Sequence, residues 1–178
     1  MLERRSALAS ATPYKSSVLN ISEARGFTLT QVAGLDSEFV GKLASLAGAL
    51  PAKVGIVNEN AGRSVMRIGP SQFWIIGPET DDLIRQLDKS FAVTPLTNGR
   101  TRILIEGAPA RDVLAKGMPL DFHPAAFAPG MFAMTGLHHT PVTVHCVSEN
   151  RFELYAMRTF ALNIWEWLTD AALELSDR

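Results

Sequence analysis

Hydrophobic and polar positions mark two early β-prone runs, Ser17 to Ser22 and Gly26 to Val32, of which the second alternates with a period of two. The second run sets Phe27, Leu29 and Gln31 against Thr28, Thr30 and Val32, and the two runs predict an antiparallel strand pair. The period then changes. Phe39, Val40, Leu43, Leu46, Ala47 and Leu50 recur at helical spacing up to Pro51, with Asp36 as the N-cap and Glu38 in the first turn. Arg63 to Ile68 and Gln72 to Ile76 read as strands around a Gly69-Pro70 turn, and Thr80 to Lys89 as a helix with Leu83, Ile84 and Leu87 inward.

The second half follows the same grammar. Phe91 to Leu96 and Thr101 to Glu106 flank Asn98-Gly99, a dipeptide that tolerates positive φ and predicts a hairpin. Gly107-Ala108-Pro109 opens a short helix over Ala110 to Lys116, and the prolines of Gly117 to Gly130 break that stretch into loop. Phe132 to His138, Val142 to Ser148 and Arg151 to Ala156 read as three strands. A final helix follows, its apolar face built by Phe160, Ala161, Ile164, Trp165, Leu168, Ala171, Ala172 and Leu175. Phe73 and Ile75 precede one helix as Phe152 and Leu154 precede another, and Gly34 and Gly107 each close a strand before a helix. The pattern therefore predicts an α+β fold of two related halves, about 17–90 and 91–178, each an antiparallel sheet with helices. Together they form a single module over 17–178, because two such halves bury a shared core better than either alone. Residues 1–16, small and polar around Pro13, are expected to be a flexible N-terminal segment.

Composition narrows the functional classes. The chain has 178 residues, 47% hydrophobic and 20% charged, which suits an ordinary globular protein and excludes a disordered one. Seventeen basic and 18 acidic residues give a net charge of −1 without a basic stripe, so nucleic acid is not an expected partner. The amino terminus has no apolar run of signal-peptide length, and Phe73-Trp74-Ile75-Ile76, the densest apolar patch, is closed by Gly77-Pro78. A lone cysteine, Cys146, fits a reducing compartment, and the expected location is the cytoplasm, off the membrane.

Little in the residues points to autonomous chemistry. No Gly-x-Gly-x-x-Gly loop or phosphate-binding Gly-Lys-Ser/Thr run is present. His123, His138, His139 and His145 lack metal-ligand spacing, and no metal site is expected. His145 and Cys146 are adjacent in a strand, so their side chains point to opposite faces and cannot pair. Glu149 in the turn with Asn150 could reach a ligand from a rigid sheet, and Arg111 and Arg158 could present guanidinium groups to a partner. Trp165 and Trp167 lie about 200° apart around the last helix, so with Trp165 in the core Trp167 becomes an interface candidate.

From Gly99-Arg100-Thr101-Arg102 through Gly107-Ala108-Pro109-Ala110-Arg111-Asp112 to Lys116-Gly117-Met118-Pro119-Leu120-Asp121 the text resembles the gamma subunit of heterotetrameric sarcosine oxidase. Phe152-Glu153-Leu154-Tyr155-Ala156-Met157-Arg158-Thr159-Phe160-Ala161 and Trp165-Glu166-Trp167-Leu168 continue it, and upstream so does Gly69-Pro70-Ser71-Gln72-Phe73-Trp74. That family is similar in turn to the folate-binding portion of aminomethyltransferase, the T-protein of glycine cleavage. The resemblance implies a folate-binding-domain-like fold and a non-catalytic subunit. Its complex would oxidise sarcosine to glycine, with hydrogen peroxide and either formaldehyde or methylenetetrahydrofolate as the other products.

It further implies alpha, beta and delta partners, chiefly alpha. FAD, FMN, NAD, tetrahydrofolate and zinc would be held by those other subunits and none by this chain, and the isolated chain could self-associate through the surface the complex covers. The aminomethyltransferase run Arg-Thr-Gly-Tyr-Thr-Gly-Glu, set against this sequence, puts its final acid on Glu149, its tyrosine on Cys146 and its last glycine on Ser148. Glu149 is thus the one cofactor-binding candidate, for folate, while the aromatic surface and a permissive backbone position are lost. The alternative reading is a stand-alone folate-binding or aminomethyltransferase-like protein of one-carbon metabolism. No residue is expected to be catalytic.

Overall fold

A computed structural model describes residues 5–34, 38–60, 62–78, 83–87 and 91–175, with Ile84 described in its backbone alone. Two compact units emerge: residues 1–25 with 99–178, and residues 26–98.

The first unit is a six-stranded antiparallel sheet in the order β1-β2-β8-β11-β10-β9. Its strands are β1 (Tyr14–Lys15), β2 (Leu19–Ala24), β8 (Arg100–Gly107), β9 (Phe132–Leu137), β10 (Thr140–Ser148) and β11 (Arg151–Met157). Helices α3 (Ala110–Ala115) and α4 (Ala161–Leu173) cover one face. Period two decides which residues that face receives: Ile21, Ile103, Ile105, Phe152, Leu154 and Val144 meet Val113, Leu114, Ile164 and Leu168 in one core. The proline-broken stretch before β9 carries no regular element, yet it is anchored, since Phe122 and Phe127 sink beside Phe152 with ring centroids 5.7–6.4 Å apart. Leu8, in the segment expected to be flexible, is 2% exposed and belongs to the same core.

The second unit is a five-stranded antiparallel sheet in the order β4-β5-β6-β3-β7. Its strands are β3 (Phe27–Ala33), β4 (Val57–Asn60), β5 (Arg63–Gly69), β6 (Gln72–Pro78) and β7 (Ala92–Pro95), and helix α1 is Phe39–Ala47. Val32, Phe39, Leu43, Val65, Phe73 and Ile75 form its core. Of the helix expected over Thr80 to Lys89, the described part is α2 (Leu83–Gln86), where Leu83 is buried; the inward placement of Ile84 and the Asp36 cap fall outside what is described.

Three expectations are corrected. β2 and β3 do not pair: β2 lies between β1 and β8, Ile21 opposite Ile105, while β3 lies between β6 and β7. Asn98-Gly99 closes no hairpin either. Residues Thr97–Gly99 form a 3₁₀ turn, and the chain before it is tied to β3, with Leu96 N–H donating to Leu29 O at 2.8 Å and Leu29 N–H to Thr97 Oγ1 at 2.9 Å. Helix α1 ends before Pro51, because Gly48 takes φ +85° and its N–H returns to Ala44 O at 3.0 Å. On its outer side Val40 is 45% exposed, and Phe160 likewise leaves the last helix's apolar face, 42% exposed in a 3₁₀ turn over Arg158–Phe160.

Candidate functional site

β10 and β11 form a hairpin whose two faces carry different chemistry. Ser148 sits opposite Arg151 after a register shift, so Glu149-Asn150 is the connecting turn. On the helix-covered face lies Cys146, wholly buried, its Sγ 3.3 Å from Ser148 O. Burial pushes the Cys146 thiol up, and the nearby Arg111 guanidinium only partly counters it. The position that would carry the pterin-family tyrosine is therefore a core thiol. Glu149 is exposed at the turn, and its backbone carbonyl accepts a hydrogen bond from Arg111 Nε at 3.0 Å.

Arg111, an interface candidate from sequence, is half-buried and makes several contacts within its own unit. Its Nη1 donates to Phe122 O at 2.7 Å and Phe127 O at 3.0 Å, Nη2 lies 3.6 Å from Cys146 Sγ, and Cζ sits 5.1 Å from the Phe152 ring centroid. One guanidinium thus ties α3, the loop before β9 and the β10–β11 hairpin together. The structure brings Arg111 to the Glu149 backbone carbonyl, while the Glu149 side chain stays exposed.

Arg158 is exposed and donates to the Arg5 carbonyl. Beside it in the chain Met157, Phe160 and Leu162, at the end of β11, in the 3₁₀ turn and in α4, are 40–44% exposed. Trp165 is 6% exposed in the core, whereas Trp167 is half-buried, edge-on to His138 at 5.3 Å. Gly117 leaves room for that indole, since a Cβ there would meet Trp167 Cη2 at 2.6 Å.

The sheet's other face holds a cluster that the sequence reading missed. Register sets Glu153 opposite His145 and Tyr155 opposite Arg102, on one side of three neighbouring strands. Glu153 and His145 are each 3% exposed and Tyr155 is 1% exposed. An Arg102–Glu153 ion pair forms through Nη2 and Oε1, Tyr155 O–H donates to Glu153 Oε2 at 2.6 Å, and His145 Nδ1 stands 3.8 Å from Oε2. Burial would raise the Glu153 pKa, but the His145, Arg102 and Tyr155 groups around it outweigh burial and bring it to about 2. The carboxylate is held in its ionised form with both oxygens engaged, an arrangement that ties three neighbouring strands together. A signal was present: Glu153 is a lone charge inside Phe152-Glu153-Leu154-Tyr155-Ala156, and a charge in a strand buried on both faces requires a partner. Among the described residues no group of three or more His, Cys, Asp or Glu stands together as metal ligands, and no helix is long and apolar enough to cross a membrane.

Two antiparallel sheets backed by a few helices define an α+β protein of antiparallel type. The glycine cleavage aminomethyltransferase T of Bartonella henselae superposes with a TM-score of 0.63 at 17% identity, over 86% of this chain and 46% of that one, which shows the shared fold. A family model for the sarcosine oxidase gamma subunit matches residues 44–174. The chain belongs to the sarcosine oxidase gamma subunit family. It is 32% identical over 146 residues to the sarcosine oxidase subunit gamma of Corynebacterium sp. strain P-1, covering 76% of this chain and 72% of that one. The strain U-96 counterpart is 30% identical over 141 residues, covering 75% and 69%. A chain of the heterotetrameric sarcosine oxidase of Corynebacterium sp. U-96, solved with pyrrole 2-carboxylate, superposes with a TM-score of 0.87 at 27% identity over 97% of this chain and 96% of that one.

Proposed function

We propose that this chain is the non-catalytic gamma subunit of a heterotetrameric sarcosine oxidase, packing against the larger subunits, chiefly alpha, while amine oxidation takes place on a flavin held elsewhere. The reaction would convert sarcosine, water and oxygen into glycine, formaldehyde and hydrogen peroxide, with methylenetetrahydrofolate replacing formaldehyde when folate accepts the one-carbon unit. The observation that carries the reading is near-complete mutual coverage, 97% and 96%, with one chain of a solved heterotetrameric sarcosine oxidase. The internal engagement of Arg111 and Glu153 supports a scaffold role, and the exposed Met157, Phe160 and Leu162 supply apolar surface for a partner. FAD, FMN, NAD, tetrahydrofolate and zinc belong in this proposal to the other subunits.

Co-expression of the tagged chain with alpha, beta and delta subunits tests it. A stoichiometric yellow complex with sarcosine-dependent peroxide production is expected. Recovery of a colourless lone chain beside properly folded partners would overturn the proposal, and tight folate binding by that chain, lost in Glu149→Ala, would support a stand-alone folate protein instead.

A further inference from the structure

Among the described residues, the four edges of the two sheets are not equally protected. β1 is two residues long, β4 carries Glu59 and β7 ends in Pro95; shortness, charge and proline all discourage a sheet from recruiting another strand. β9 differs: Phe132–Leu137 is six residues long, with neither charge nor proline.

Register shows which of its backbone groups face outward. Cys146 N–H donates to Met131 O at 2.9 Å, and Leu137 and Thr140 flank a two-residue turn, so the bonded pairs are Ala133–Val144, Thr135–Val142 and Leu137–Thr140. Pro141, which has no N–H, lies opposite Gly136 in a non-bonded pair, as this alternation requires. The N–H and C=O groups of Phe132, Met134 and Gly136 therefore point away from β10. Phe132 is 4% exposed and shielded, while His138 N–H is closed off by Gly117 O at 2.9 Å. The open window is Met134 to Gly136, with Met134 57% exposed.

We infer that an extended, uncharged segment of a larger oxidase subunit adds to β9 as a seventh strand, bonding the outward backbone of Met134 and Gly136 and setting an apolar side chain against Met134. This rests on the subunit reading above. Four main-chain bonds are too few to hold two free copies together, but they suffice to fix register for a chain already tethered by wider contacts, as a subunit in a four-chain complex is. Methionine suits such a contact because its flexible thioether adapts to a neighbouring side chain.

The test compares unmodified chain, Met134→Leu, Met134→Lys and Met134→Pro, each co-expressed with the other three subunits. Because Met134 N–H is not used by β10, the Pro variant removes an outward donor without removing a ladder bond. Expected are normal incorporation for Met134→Leu, a loss of at least about tenfold for Lys and Pro with unchanged circular dichroism and melting, and about tenfold slower exchange of the Met134 and Gly136 amides in the complex than in the free chain. Undiminished incorporation of both disruptive variants, or equal amide exchange free and bound, would overturn the inference while leaving the subunit reading intact. Protection of these amides in a dimer of the free chain would assign the edge to a second copy and also overturn it. If the unmodified chain stays out of the complex, the subunit reading falls and this inference with it.

Discussion

Replacing Arg111 by methionine separates internal bracing from partner contact. Methionine keeps much of the aliphatic stem and removes the donors, leaving the carbonyls of Phe122 and Phe127 without the Nη1 that now sits 2.7 and 3.0 Å away. Those residues are 5% and 2% exposed, so water does not readily replace the guanidinium. A buried acceptor left unsatisfied costs about 1–3 kcal/mol. Loss of the cation over the Phe152 ring, 5.1 Å from its centroid, adds about 0.5–1 kcal/mol. The carbonyl of exposed Glu149 regains water and adds little. Partial relaxation of the loop keeps the terms from adding fully, and the expected loss is about 3–5 kcal/mol, a large share of the stability of a domain this size. The assay is urea unfolding followed by tryptophan fluorescence, read as a midpoint shift at constant slope. Arg111→Lys should recover less than half, because one ammonium cannot span the carbonyls that the planar fork reaches. A loss below about 1 kcal/mol in Arg111→Met, together with failure to enter the complex, would refute the bracing argument and return Arg111 to the interface.

Three further outcomes follow from the same structure. Glu153 has a folded pKa of about 2, below its ordinary value of 4.5, so its stabilisation is fully present above about pH 4.5 and is lost as pH falls toward 2. Acid titration of unfolding should show that loss, and Glu153→Gln should flatten it; an unchanged slope in the variant would exclude Glu153 as its source. Gly107→Ala should destabilise by more than about 2 kcal/mol, since Gly107 has φ +143° and its new Cβ would lie 2.0 Å from Val18 O, and a melting temperature within a degree of the parent would contradict this. Trp165→Ala should cost about 3–5 kcal/mol in denaturant unfolding, as expected of a buried aromatic, and less than about 1 would show that the indole is not core.

Local pattern was enough to read much of the fold. Short strand-forming runs bounded by turn residues marked β5, β6, β9, β10 and β11, and the 3.6-residue spacing of Ile164, Trp165, Leu168, Ala171 and Ala172 marked α4, because these signals depend only on neighbours along the chain. The opposite-facing side chains of His145 and Cys146 followed from the same geometry. Strand partners did not follow. Ser17 to Ser22 and Gly26 to Val32 each show strand character, but a strand has two edges and local pattern does not say which distant strand meets either. Ile21 found Ile105, far along the chain, and β3 found β6 and β7. Asn98-Gly99 was a sound local turn signal overridden by a nonlocal one, the bonds holding Leu96 and Thr97 to Leu29. The roles of charged residues were still less legible. Arg111 and Arg102 look like surface groups in the sequence, and only packing that brings Phe122, Phe127 and Phe152 around one guanidinium, and Glu153 and Tyr155 around the other, turned them inward. A guanidinium's use is set by whichever carbonyls and carboxylates surround it, and those arrive from distant parts of the chain.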